Sequence, residues 1–206
     1  MKLNFFVNEN VLIPRQDTEV LVEEAIQIAK SINAKNILDL CTGSGAIAVS
    51  LAKYLKDVQI TATDISKEAL RVAKKNAVSN EVEQKITFIE SDLFEKLTNT
   101  KFDIIISNPP YIKKDIIKSL SKDVQNEPHI ALDGGYDGLK FYRLISNMAI
   151  EHLTLGGYLC LEIGYDQKES VLEILKEHPQ YVKTYCKKDL FDNDRVVVTK
   201  IAKYRS

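Results

Sequence analysis

The sequence of 206 residues is short of most features that would commit it to a special environment. It has three cysteines, Cys41, Cys160 and Cys186, scattered along the chain with no Cys-x-x-Cys pair. A disulfide framework and a zinc site are both excluded on that basis, and a reducing cytoplasm is expected. The three histidines, His129, His152 and His178, do not stand at metal-ligand spacing, so no metal is expected. No apolar run reaches the length of a membrane span, and the N-terminus lacks the basic-then-apolar order of a signal peptide. Neither sign of charge is in excess: 28 Lys and Arg face 29 Asp and Glu. A general nucleic-acid binder would be clearly basic, so no direct nucleic-acid contact is expected. There is no repeat, no low-complexity tract and no interdomain linker. The length suits one domain spanning 1–206, and a monomer is expected.

What is present is an alternation of short apolar runs with helix-periodic stretches. Residues 3–7 and 11–13 read as two short strands, with Asn8-Glu9-Asn10 as the turn of an N-terminal β-hairpin. Asp17 or Thr18 caps a helix running to about residue 30. Strands are expected at 36–40, 58–63, 86–89, 102–107 and 158–163, and helices at 43–55, 66–78, 139–153 and 167–177. Ser66 is read as a cap, with Glu68 in the first turn behind it. The run Ile104-Ile105-Ile106 is apolar on both faces, which places its strand at the centre of a sheet. The tail, 181–186 and 195–201, reads as two strands around the turn Asp192-Asn193-Asp194. Alternating strands and helices imply an α/β domain whose sheet is mainly parallel, with an antiparallel closing pair. Residues 112–137 are too long for an ordinary connection and too mixed for a linker. They are read as a substrate loop or lid.

Asp39-Leu40-Cys41-Thr42-Gly43-Ser44-Gly45 follows the first strong strand and opens a helix. Its glycines let the backbone turn tightly and come close to a ligand. Asp64 ends the next strand, roughly 20 residues on, where an acidic residue can accept hydrogen bonds from both hydroxyls of a ribose. A dinucleotide site would want a third glycine at the helix start to admit a pyrophosphate, and Ala48 stands there instead. The carboxylate of Asp39, read as fronting the loop, repels a pyrophosphate but suits a ligand with a cationic amino group, as S-adenosylmethionine has. Ser91-Asp92-Leu93 ends the third strand. Asp92 can accept from an adenine amino group, and Leu93 can pack on the ring.

Asn108-Pro109-Pro110-Tyr111 ends the fourth strand, at the carboxyl edge where such sheets bind ligands. An amide or aromatic amino nitrogen is a poor nucleophile because its lone pair is delocalised. The Asn108 side-chain oxygen and the Pro109 carbonyl can each accept one N–H of such a group, which turns the lone pair toward a methyl donor. The prolines lock the backbone so that the carbonyls stay aimed, and Tyr111 offers a flat wall. No strong base is needed, and catalysis rests on positioning. The tetrapeptide specifies a planar NH2 acceptor without saying whose.

The whole chain from Phe5 onward resembles the release-factor glutamine methyltransferase family, the HemK-like enzymes. The resemblance is carried by Ile13-Pro14-Arg15-Gln16-Asp17-Thr18-Glu19, the glycine loop, Ser107 to Ile112, Glu127-Pro128 with Ala131-Leu132, Gly134-Gly135, Asp137-Gly138-Leu139, and Leu161-Glu162-Ile163-Gly164. It implies a Rossmann-like class I methyltransferase domain with a seven-stranded sheet and helices on both faces. It implies methyl transfer from S-adenosylmethionine, leaving S-adenosylhomocysteine, to the glutamine amide in the Gly-Gly-Gln motif of peptide chain release factors. The implied cofactor contacts are Phe5, Cys41 to Gly45, Asp64, Ile65, Leu93 and Asn108, and the implied substrate contacts are Asn108, Pro109, Pro110 and Tyr111. An N-terminal stretch 1–16 would act as hairpin and lid. The family's N-terminal helical domain is expected to be absent. Cys41 replaces a usual glycine, and its small thiol is read as structural. The alternatives are a DNA or RNA amino-group methyltransferase, acting on N6 of adenine or N2 of guanine, and a cofactor-binding fold that only activates a partner.

Several residues near these motifs have two readings. Arg15, Asp17 and Glu19 either order the lid or cap the first helix. Glu162 either orients the substrate backbone or pairs with a lysine. His129 is read as a surface residue, His152 and His178 as helix-end residues, and Lys187-Lys188 as a solvated turn.

Overall fold

The computed structural model describes residues 3–203. Seven strands form one sheet: β1 (Asn36–Leu40), β2 (Gln59–Asp64), β3 (Ile86–Glu90), β4 (Phe102–Ser107), β5 (Leu153–Glu162), β6 (Tyr181–Lys188) and β7 (Asp194–Ile201). Their order is β3-β2-β1-β4-β5-β7-β6. All pairings from β3 across to β5 are parallel, and β7 runs antiparallel to both β5 and β6. This is the expected mainly parallel sheet with an antiparallel last strand. The helices are α1 (Thr18–Ile32), α2 (Ala46–Tyr54), α3 (Lys67–Ser79), α4 (Lys122–Gln125), α5 (His129–Leu132), α6 (Lys140–His152) and α7 (Lys168–Lys176).

Alternation along the strands divides the core in two. Ile37, Ile104, Ile106, Cys160, Val196 and Val198 face a layer built from α1, α2 and part of α3. Leu38, Leu40, Ile105, Leu159, Leu161 and Val197 face α6 and α7. Ile104, Ile105 and Ile106 are each 0% exposed, which is why that strand reads as apolar on both sides. Each contributes about 1.5–3 kcal/mol of burial. Because the strand order reverses at β1 and β4, their carboxyl ends open a crevice between neighbouring loops. The glycine loop and Asn108 both sit there.

Three local expectations are corrected. No strand occurs among the described residues 3–17, so the N-terminal hairpin does not form; residues 1 and 2 lie outside the described part. The turn is there, with Val11 N–H donating to the Asn8 carbonyl at 3.3 Å. The flanking backbone, however, finds partners elsewhere. Asn76 accepts from Phe6 N–H at 2.7 Å and donates to the Phe6 carbonyl at 2.9 Å, and Glu127 accepts from Ile13 N–H at 3.1 Å. Backbone groups satisfied by distant side chains have no need of a hairpin ladder. Asp17 makes no side-chain cap for α1 and instead pairs with Arg195 at 3.2 Å. The strand expected at 158–163 begins earlier, at Leu153, passing through Gly156 at φ +81° with an irregular register against β4. Ser66 caps α3 as expected, accepting from Ala69 N–H at 3.1 Å.

The 112–137 segment is a folded unit. It contains a 3-10 turn at Ile117–Ser119 as well as α4 and α5. Its ends are clasped. Ile112 N–H donates to the Leu132 carbonyl at 3.0 Å, Gly134 N–H to Ile112 at 2.8 Å, and Lys114 N–H to Gly135 at 3.0 Å. A loop with joined ends packed by its own side chains is a common support for function.

Candidate active site

The crevice at the carboxyl edge is a cavity of about 1380 Å³. Its walls include Cys41, Thr42, Gly43 and Ser44 from the glycine loop, Asp64 and Ile65 after β2, Asp92 and Leu93 after β3, and Asn108 and Pro110 after β4. The sequence places each of these at a strand end, and the parallel sheet brings them to one side.

The glycine loop is built around Asp39. This residue is 0% exposed and lies behind the loop, off the cavity wall. One oxygen accepts from the Thr42 hydroxyl at 2.5 Å and from Ala48 N–H at 3.1 Å. Its carboxyl therefore fastens the loop to the first turn of α2 and does not front the cavity as expected. Burial pushes its pKa up to about 7, against the hydrogen bonds from Thr42 and Ala48. Gly45 begins α2 at φ +79°, and a Cβ there would lie 2.9 Å from the Ala73 side chain, so close helix packing requires a glycine. Cys41 has φ +59°, a left-handed conformation that glycine adopts without cost. Burial is the main cause raising its thiol pKa, which leaves the sulfur protonated and in keeping with a structural role.

Asp64 stands at the tip of β2. Its two oxygens accept from Gly43 N–H and Ser66 N–H, both at 2.8 Å. Burial raises its pKa, and these backbone hydrogen bonds oppose the rise. A carboxylate has about four acceptor positions, so the fixed Asp64 still has lone pairs for a diol in the cavity. Leu93 is held at φ +45° and is mostly buried. A fixed carboxylate with free lone pairs, a small-residue backbone loop and an apolar ledge on adjoining strand ends could hold an adenosyl group. The cavity rim beyond Asn108 carries Lys114, Lys118 and Lys140.

Asn108 is half-buried at the end of β4. Its side-chain nitrogen donates to the Thr18 hydroxyl at 3.4 Å. Tyr111 lies off the cavity wall, packed against the core layer that includes Tyr142 and Ile163. Burial and the nearby Glu162 push its hydroxyl up to about 12. The Tyr111 carbonyl is gripped by the Gln167 side chain at 3.0 Å. A Cβ on Gly138 would meet that same carbonyl at 2.5 Å, so the glycine admits the close approach. Tyr111 in this arrangement anchors the turn, and Pro109 is likewise buried off the wall. Phe5 packs into the α1–α2 core layer and does not reach the cavity.

Residues 10–18, which overlap the stretch read as a lid, supply cavity walls that were not named residue by residue. Val11, Leu12, Pro14, Arg15 and Thr18 all border the cavity. This strap is tied to the 112–137 segment through Glu127, whose side chain is 4% exposed. It accepts from Arg15 at 2.6 Å as well as from Ile13 N–H. Arg15 thus orders the strap, while Asp17 holds its end to Arg195. Arg195 in turn binds Asp189 at 3.1 Å and donates to the Ile163 carbonyl at 3.2 Å. The sequence signals for the strap are the Ile13-Pro14-Arg15 motif and the charged Arg15, Asp17 and Glu19 around it.

The remaining ambiguous residues are placed by packing. Glu162 is 1% exposed at the end of β5, close to Asn108 and Thr18. No lysine pairs with it among the described residues. His129 lies at the rim within 3.8 Å of Asp133, His152 stacks on Phe94, and His178 meets the edge of Tyr181. Lys187 pairs with Glu24 at 3.2 Å and Lys188 with Asp192 at 2.9 Å; both are solvent-exposed as expected, but they end β6 and do not lie in the turn after it.

Comparison with known proteins agrees with this geometry. Residues 16–135 match the family model described as Methyltransferase small domain. The chain is 46% identical over 201 residues to a release factor glutamine methyltransferase of Clostridium acetobutylicum, covering 96% of this chain and 70% of that protein. It is 45% identical over 202 residues to another from Fusobacterium nucleatum subsp. nucleatum, covering 97% of this chain and 56% of that one. Among solved structures, a release factor-specific protein-(glutamine-N5) methyltransferase from Alicyclobacillus acidocaldarius subsp. acidocaldarius superposes with a TM-score of 0.57 at 29% identity. That match covers 96% of this chain and 99% of the other. The sheet order, the cavity at its switch point and these likenesses agree, and the chain belongs to the release factor glutamine methyltransferase family.

Proposed function

We propose that this chain methylates the side-chain amide nitrogen of the glutamine in the Gly-Gly-Gln motif of peptide chain release factors, with S-adenosylmethionine as donor. The observation that carries the proposal is the Asn108 amide beside the cavity. Its nitrogen is engaged inward by Thr18, so its oxygen is free to accept from an incoming NH2 group. In this reading the backbone carbonyl of Pro109, next along the chain from Asn108 although the residue is not part of the cavity wall, takes the second N–H when the acceptor binds, and the two contacts orient the nitrogen lone pair along the line of transfer. The cofactor, held by Cys41 to Ser44, Asp64, Ile65, Asp92 and Leu93, supplies an electrophilic methyl group. The residues of this chain do the positioning: the N–C bond would form as the donor's S–C bond breaks, leaving S-adenosylhomocysteine, and the alkylated nitrogen would give its proton to water.

The strap at residues 10–18 covers the donor side, and the clasped 112–137 segment receives the protein substrate. The chain spans little more than half of one relative and 70% of another, so the proposal concerns the catalytic step. No described helix is long and apolar enough to cross a membrane. A substrate from the translation machinery gives the chain a cytoplasmic place of action. Incubation with methyl-labelled cofactor and a release factor should label the Gly-Gly-Gln peptide. Label that persists after that glutamine becomes alanine, or that goes to DNA or RNA instead, would overturn the proposal.

A further inference from the structure

Glu162 is the most enclosed carboxyl group beside the site, and the chemistry above gives it no task. It ends β5, is 1% exposed, and leaves one oxygen, Oε2, buried without a hydrogen-bond partner. Thr18 and Asn108 are the uncharged polar side chains that face its carboxyl. Asp17, Arg195, Tyr111 and Tyr142 are the other titratable groups around it. Keeping a carboxyl group there has a desolvation cost that an apolar residue would avoid.

The hydroxyl of Thr18 lies between the two groups and has one proton. When that proton goes to Glu162, only lone pairs remain for Asn108. The Asn108 amide must then offer its nitrogen to Thr18, as the 3.4 Å contact shows, and turn its oxygen toward the cavity. Without Glu162, the Thr18 proton is free to go to the Asn108 oxygen, and the amide can flip. A flipped Asn108 presents N–H to the acceptor's N–H and repels it. We propose that Glu162 is a positioning residue that acts through Thr18 to fix the orientation of the Asn108 amide, so that its oxygen faces the acceptor nitrogen. This rests on the acceptor role assigned to Asn108.

The relay needs one accepting oxygen at position 162. A carboxylate, a carboxylic acid and a glutamine amide all have one, whereas alanine has none. Glu162→Gln should therefore keep most of the activity. Glu162→Ala should lower kcat on a release factor about tenfold with cofactor affinity by calorimetry unchanged. In an Asn108→Ala background, Glu162→Ala should change kcat less than about twofold, because the residue it acts through is gone. Thr18→Val, nearly isosteric, should mimic Glu162→Ala and guards against a variant that simply folds poorly.

A second readout needs no acceptor. In 15N-labelled protein, the Asn108 side-chain NH2 signals are those missing from Asn108→Ala. They should move in Glu162→Ala and in Thr18→Val and stay near their original place in Glu162→Gln. If the wild-type chain fails to methylate a release factor, the acceptor assignment falls, and these signals still decide the relay. Equal loss from Glu162→Ala with and without Asn108, a glutamine variant as poor as alanine, or unmoved Asn108 signals would each overturn the proposal.

Discussion

The glycine loop after β1 and the acceptor segment after β4 occupy neighbouring strand ends and are held in opposite ways. The first is fastened by residues close in sequence: Asp39 binds Thr42 and Ala48, and Gly43 binds Asp64 on the next strand. The second is held from afar. Asn108 leans on Thr18, ninety residues away. Glu127 grips Ile13 and Arg15, more than a hundred residues away, and Gln167 holds the Tyr111 carbonyl. A donor site of this kind serves a ligand that is always the same. An acceptor site assembled from the strap, β5, α7 and the 112–137 segment can be adjusted to its substrate piece by piece.

The sharpest break in this comparison is Asn108→Ala. Turnover on a release factor should fall by about a hundredfold or more, while calorimetry shows cofactor affinity nearly unchanged. Loss of both together would mean that the two regions are not separable. Next is Gly45→Ala on the donor side. The positive φ and the 2.9 Å approach to Ala73 should cost about 1–3 kcal/mol in denaturant unfolding and weaken cofactor binding. Gly43→Ala also has a positive φ, +53°, but no atom lies within 4 Å of its added Cβ. It should cost only about 1 kcal/mol.

Glu127→Ala tests the long-range side. It removes both ties to the strap, so residues 10–18 should become easier to cleave by protease, and cofactor affinity should fall roughly tenfold, about 1.4 kcal/mol. Asp39→Asn probes the local staple through pH. The folded-state pKa of Asp39 is raised from 3.8 to about 7, so the folded chain holds this proton more tightly than the unfolded one. Its contribution to stability is complete below 3.8 and is lost as pH rises through 7. The variant's stability should decline less steeply over that range in urea titrations at successive pH values. The smallest effect is expected for Cys41→Gly. Relief of the left-handed strain at φ +59° is offset by the glycine's extra freedom when unfolded. The melting temperature should move by only a few degrees, with activity retained.

The two regions also differ in how far they can be read without coordinates. The β1 loop, Asp64 and Leu93 were assigned from spacing alone, because each contact runs between one strand end and the next. Asn108 is singled out differently, from the tetrapeptide it opens and from the chemistry of its amide. Asp39 was recognised as important but given the wrong direction. Strand alternation shows which residues are inward, yet an acidic residue at a strand end reads alike whether it faces a ligand or fastens the loop. On sequence Tyr111 reads as a wall, because an aromatic ring suits the face of a planar acceptor. Gly138 and Gln167, which hold its backbone, lie far along the chain. The N-terminal hairpin was expected from two apolar runs and a turn, and it lost to Asn76 and Glu127, side chains that no local pattern connects to residues 6 and 13.

The sequence alone was enough for the alternation of strands and helices, the central place of β4, the antiparallel closing pair, and the chemistry that the carboxyl edge can support. Those follow from apolar periodicity, turn residues and motifs whose parts are near one another in the chain. Long-range packing settled that Asn108 meets Thr18, which residues border the cavity, and that no lysine pairs with Glu162 among the described residues. Those outcomes depend on which donor meets which acceptor when α1, β4, β5 and the 112–137 segment pack together. A buried hydrogen bond is settled by the full set of competing partners at that place.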